Sequence, residues 1–202
     1  KCLSIEHIIM NSSSDGDDKL GDDAMIPEPI GVSHAVPPKT LYKQVNTNRE
    51  NRTQLTLCAY SQNTDSRRRK NMKVNRDIIT ETLNKNGIRN GNCGHRYFDE
   101  LLKTKFVISP EGNGIDCHRH WEALYFGAIP IIERNPEMEK KLIGLPVLYT
   151  TDYSEITTEY LQKTYDQMLN KKYDFSRLIM HNYSSGSQEL MMRRSNHWNR
   201  KR

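Results

Sequence analysis

Near residue 54 the rhythm of apolar and polar positions changes. Beyond it, short apolar runs alternate with stretches in which apolar residues recur every three or four positions. The runs at 55–60, 106–108, 129–132 and 147–149 read as strands, bounded by Gly, Pro or polar residues. Between them, 74–86 places Val74, Ile78, Ile79 and Leu83 at helical spacing, with Gly87 as a stop. Shorter helices are predicted over 96–103, 117–126 and 136–142, with Gly127 ending the second, and a long amphipathic one over 155–169. Residues 63–71 read as a polar, basic loop, 175–183 as helix, and 188–202 as a helix turning basic at its end.

Short apolar strands alternating with helices imply parallel βαβ units. The fold class is therefore α/β, a Rossmann-like parallel sheet with helices on both faces, spanning 53–185. Residues 1–52 read as an irregular arm: one strand over 5–10, an acidic loop over 11–23, then Pro27, Pro29, Pro37 and Pro38, too close together for a long helix or a central strand. Residues 186–202 form a basic tail.

Composition narrows the classes. With 35% hydrophobic residues among 202, the core is modest, and no apolar run approaches the ~20 residues of a spanning helix. A net charge of +5 points to an anionic partner. Cys2, Cys58, Cys93 and Cys117 form no CxxC pair, so a zinc ribbon is not expected and reduced thiols are.

Ligands of such sheets bind outside the carboxyl ends of the strands. That selects the loops after Tyr60 and after Ile108. The second contains Ser109, Gly112, Asn113 and Gly114 and feeds a helix start, where free N–H groups suit a phosphate. Asp116 reads as that helix's N-cap, and Cys117, Trp121 and Leu124 as its sheet-facing stripe. Arg119 and Glu122 share another stripe, with His118 alongside. A cation in a first turn opposes the helix dipole unless an anion is bound. Glu122, one turn deeper, suits a pair of vicinal hydroxyls, so the pair describes a diphosphate followed by a ribose. In the first loop, Arg67, Arg68, Arg69 and Lys70 could clamp the same diphosphate, or simply form a solvated charge run. No aromatics interleave them, so no nucleic-acid partner is expected. Neither His118 with His120, nor the acidic turn around Asp15 and Asp17, matches a metal-site spacing, and no metal is expected.

The stretch 106–132, with its Ser-Pro, glycine loop, Asp-Cys-His-Arg, Trp-Glu-Ala and Gly-Ala-Ile-Pro in order, resembles the donor-binding segment of exostosin-like glycosyltransferases. Residues 57–69 and 26–33 are also similar to that family, so the likeness runs over roughly 26–150. The resemblance implies the C-terminal half of a GT-B enzyme: a nucleoside diphosphate sugar as donor, a glycan hydroxyl as acceptor, and no required cofactor. It puts Glu122 on the ribose, Arg119 and one of Arg67–Arg69 on the diphosphate, and Ser109, Gly112, Asn113 and Gly114 around the phosphates and sugar. Residues 1–52 would then be a remnant of an acceptor domain, with Asp15, Asp17 and His34 as general-base candidates. A partner chain or domain supplying the acceptor half is a further expectation. The alternatives are a nucleotide-sugar-binding module without catalysis of its own and a basic nucleic-acid binder. The resemblance points to the secretory pathway; a viral or bacterial source would point to the cytoplasm.

Overall fold

A computed structural model describes residues 30–33, 52–91 and 93–194. Asp15, Asp17, His34, the expected strand at 5–10 and the end of the basic tail lie outside these.

Four strands, β1 (Gln54–Cys58), β2 (Thr104–Ile108), β3 (Ile129–Glu133) and β4 (Leu148–Thr150), form one parallel sheet in the order 1-2-3-4. Register is set by pairs such as Leu57 with Val107, Ile108 with Ile131 and Ile132 with Tyr149. The helices are α1 (Ser66–Arg69), α2 (Arg76–Lys85), α3 (Tyr97–Lys103), α4 (His118–Tyr125), α5 (Pro136–Lys141), α6 (Thr158–Leu169) and α7 (Ser185–Arg194).

Both faces of the sheet are covered, which is why the central strands β2 and β3 are largely apolar and buried. Leu57, Val107 and Ile132 face one side and pack with Leu101 of α3, Trp121 and Leu124 of α4, and Met138 of α5. Cys58, Phe106, Ile108, Ile129 and Ile131 face the other, against Ile79 and Leu83 of α2 and Leu161 and Met168 of α6. The period-two alternation of side chains sorts residues of one strand into two cores. Burying each large apolar side chain contributes about 1.5–3 kcal/mol.

The expected glycine stops are present. Gly87 has φ 77° and Gly127 φ 73°. After each, the chain turns back on its helix: Ile88 N donates to Leu83 O at 2.9 Å, and Ala128 N to Ala123 O at 2.8 Å. Asn75 caps α2 by accepting from Ile78 N, and Asn135 caps α5 ahead of Pro136.

Three elements differ from expectation. Within 63–71, Gln62–Asp65 is a 3-10 turn running into α1, because buried Asp65 and Arg69 draw the segment inward. Residues 175–183 form two 3-10 turns, Ser176–Leu178 and Met180–Asn182, in place of a helix. The long helix begins at Thr158, because Thr157 accepts from Tyr160 N and Tyr153–Glu155 makes a separate turn.

Arg52, expected to belong to the arm, is a clamp in this domain. It is 9% exposed and donates from Nη1 to Leu101 O at 2.9 Å and to Thr104 O, and from Nη2 to Phe126 O. One guanidinium thus satisfies carbonyls at the ends of both α3 and α4.

Candidate functional site

The connections after β1, β2, β3 and β4 meet at the carboxyl edge of the sheet. The loop after β2 is held there from two sides. Arg76, 2% exposed at the first position of α2, donates to three carbonyls: Ser61 at 2.6 Å, Glu111 at 2.8 Å and Pro110 at 3.0 Å. Its guanidinium also lies 5.3 Å from the centre of the Tyr60 ring. From below, Glu133, the last residue of β3, accepts from Glu111 N at 3.0 Å.

Arg69 sits in the middle of this edge, 2% exposed. It meets Glu133 at 2.9 Å, Glu111 at 3.3 Å and Asp65 at 3.5 Å. Burial works against its charge, but the Glu133 carboxylate and its neighbours outweigh that and push its pKa up. Its guanidinium is engaged by three carboxylates, which distinguishes it from its neighbours in the run. Arg68 pairs with Glu111 at 2.6 Å at the rim, and Arg67 is exposed. A buried cation surrounded in this way ties the ends of three loops together.

Asp116 does not cap α4. Cys117 occupies that position, and among the described residues no side chain caps the helix. Asp116 instead accepts from Trp121 Nε1 at 2.7 Å, Lys141 Nζ at 2.8 Å and Ile30 N at 3.0 Å. Trp121 and Leu124 are buried as expected, whereas the half-buried Cys117 turns its sulfur to the carbonyls of Gly114 and Pro110, at 3.6 and 3.8 Å. Burial pushes the Cys117 thiol up to about 11.

Ser109 is fully buried, its Oγ 2.7 Å from His120 Nδ1, while His120 Nε2 is 3.2 Å from Ile115 O. A carbonyl only accepts, so Nε2 carries the ring proton and Nδ1 accepts from Ser109. Burial lowers the His120 pKa to about 4, which keeps the ring neutral. This pair fastens the loop from inside. Asn113 and Gly114 are exposed at its tip.

Residues 30–33 lie along α4. His118 Nδ1 donates to Gly31 O at 2.9 Å, and Ser33 N donates to Glu122 Oε1 at 3.2 Å. Glu122 is 6% exposed, so this ribbon covers the acid expected to meet a pair of vicinal hydroxyls.

Arg119 is different. Its Nε is buried and has no hydrogen-bond partner among the described residues. Its charge is felt at Arg76, whose pKa is lowered first by burial and then by the Arg119 guanidinium. It is felt at Cys58 too, where burial nonetheless pushes the thiol up to about 12. Two guanidinium groups therefore repel each other near the amino end of α4, one of them incompletely paired. Among the described residues, no cluster of three His, Cys, Asp or Glu side chains could hold a metal ion. No helix there is long and apolar enough to cross a membrane.

Arg76, Glu111 and Glu133 escaped the reading of the sequence. A carboxylate closing an apolar strand at the ligand edge was a usable signal for Glu133, whereas Arg76 reads locally as an ordinary helix residue.

The architecture and this polar edge define a parallel α/β domain with a buried arginine–carboxylate cluster at the carboxyl ends of its strands. The chain belongs to the RXYLT1 C-terminal domain family, whose profile matches residues 44–197. It is 24% identical over 115 residues to ribitol-5-phosphate xylosyltransferase 1 of Homo sapiens, covering 50% of this chain and 26% of that protein. The Mus musculus protein of the same name is 26% identical over 109 residues, covering 46% of this chain and 24% of its own length. Both names are those of glycosyltransferases, and the matches span about a quarter of each relative.

Proposed function

We propose that this chain binds a nucleoside diphosphate sugar at the carboxyl edge of its sheet and acts in glycosyl transfer to a hydroxyl acceptor, as the donor half of a GT-B, exostosin-like enzyme. The single observation behind this reading is Arg119: a guanidinium in the first turn of α4, beside Arg76, with a buried Nε that has no hydrogen-bond partner among the described residues. An anion there would relieve the repulsion, occupy the orphan donor and be favoured by the helix dipole.

Arg119 and Arg68 would hold the diphosphate against the backbone of Gly112, Asn113 and Gly114. Arg69, Ser109 and Asp116 would serve by keeping the loop in shape, since their polar atoms are already engaged. Glu122 would take the ribose hydroxyls once Ser33 releases its oxygen, with His118 guiding the same ribbon. Preorganised cations stabilise a departing diphosphate without a metal. The general base would come from Asp15, Asp17 or His34, or from a partner domain. The relatives' names suggest a xylosyl group as the sugar to try first and a phosphorylated polyol as the acceptor.

Calorimetric titration with UDP and GDP tests the reading. Millimolar or tighter binding of one of them is expected, followed by hydrolysis or transfer from the matching nucleotide sugar. Binding of neither would overturn it. Binding without turnover would favour a module that needs a separate acceptor half.

A further inference from the structure

Tyr97 lies beside both groups assigned to the donor and belongs to neither loop. It is the first residue of α3, the helix that leads directly into β2. Because α3 descends to the start of that strand, its own start is at the opposite, carboxyl edge of the sheet. The ring is half-buried and packs edge-on to Phe98, with centroids 5.0 Å apart. The Tyr97 hydroxyl is out of solvent and has no hydrogen-bond partner among the described residues. The same is true of Arg119 Nε, and among the described residues these are the two such side-chain atoms. They are also neighbours: burial raises the Tyr97 pKa first, and the Glu122 and Arg119 side chains act on its hydroxyl both through their charges and from within hydrogen-bonding reach.

The chemistry of the three groups is complementary. Arg119 Nε only donates, a carboxylate only accepts, and a phenol does both. A chain from Arg119 Nε–H to the Tyr97 oxygen, and from the Tyr97 O–H to a Glu122 oxygen, would satisfy every member. Here Glu122 Oε1 accepts from Ser33 N, and among the described residues neither Arg119 Nε nor the Tyr97 hydroxyl completes a link of that chain with hydrogen-bond geometry. A fold that keeps two buried polar groups unpaired side by side bears a cost at each.

Resting on the donor-site reading above, we propose that Tyr97 is a positioning residue of the nucleotide site. In the complex its hydroxyl links the phosphate-binding Arg119 to the ribose-binding Glu122 and fixes the distance between them.

Tyr97→Phe removes the hydroxyl and keeps the ring. The test is calorimetry with UDP and GDP on wild-type and Y97F protein, together with a thermal melt of each without ligand. Y97F should bind about tenfold more weakly, as expected for a hydrogen bond to a charged group. Its ligand-free melting temperature should stay level or rise, because an unpaired buried hydroxyl has gone. A purely structural tyrosine would not separate these two readouts. Unchanged affinity in Y97F overturns the inference alone. A Y97F melting point several degrees lower also overturns it, because the hydroxyl would then already be bonded. Wild-type protein that binds neither UDP nor GDP overturns both this inference and the function it rests on.

Discussion

A β-carbon on Gly112 would stand 3.0 Å from Arg76 Nη2, so the loop's tightest residue and the guanidinium that holds the loop are in contact. The side chain cannot retreat cheaply, because it already serves the carbonyls of Ser61, Pro110 and Glu111. Thr64 Cγ2 at 3.3 Å and Cys117 Sγ at 3.5 Å close the remaining space. Gly112→Ala should therefore cost about 1–3 kcal/mol in urea unfolding, the range for overpacking. It should weaken nucleotide affinity as well. Gly114→Ala is the control: its nearest neighbour would be Asp116 O at 3.8 Å, and stability should hold within about 0.5 kcal/mol.

Glu133→Gln should be among the most damaging changes at the edge. It removes the charge that faces Arg69 at 2.9 Å and weakens the acceptors for Glu111 N at 3.0 Å and Tyr153 Oη at 3.2 Å. Leaving a buried guanidinium short of its counter-charge costs about 3 kcal/mol. Arg134→Ala breaks a surface pair with Glu139 and an exposed stacking contact with the Tyr149 ring, at a residue whose side chain is 53% exposed, and should cost about 1 kcal/mol. Parallel denaturation curves separate the two; equal losses would refute the central role of Arg69.

Acid should loosen the loop through His120. Its folded pKa of about 4 lies below the ordinary 6.5, so the unfolded chain takes up the proton more readily. The contribution is whole above pH 6.5 and is lost as pH falls toward 4, amounting to about 3 kcal/mol. His120→Gln, which cannot charge, should show a flatter stability profile across that window in melts at pH 7, 6, 5 and 4.5.

Arg119 and Arg67 should part company in binding. Arg119→Ala removes the incompletely paired guanidinium at the start of α4 and should weaken UDP or GDP binding more than tenfold with little loss of stability. Arg67→Ala, at an exposed position, should change affinity less than threefold. Equal effects would show that the run at Arg67–Arg69 acts as a diffuse field, with no defined anion site at α4.

All four strands of the sheet were legible because each is a short apolar run bounded by breakers, and the helix stops at Gly87 and Gly127 were legible from φ-permissive residues. The turns at 62–65 and 176–182 were not, because a 3-10 segment carries no apolar period. In the site, glycines and helix spacing pointed to the loop after β2 and to α4. What they could not reveal was competition for side chains. Asp116 looked like a cap until Trp121, Lys141 and Ile30 were found to claim its oxygens. Arg69 looked like its neighbours until Glu133, 64 positions away, was found against it. Covering of Glu122 by Ser33 was equally invisible, since it joins residues 89 apart.

Arg52 falls where composition would draw the domain seam, yet its guanidinium rivets α3 to α4. Trimming the polypeptide to begin one residue later would take a guanidinium donor from three main-chain oxygens at the sheet's far edge. The helix bearing Arg119 would lose its anchorage there, and a fragment shortened that far would misreport the site it was cut to isolate.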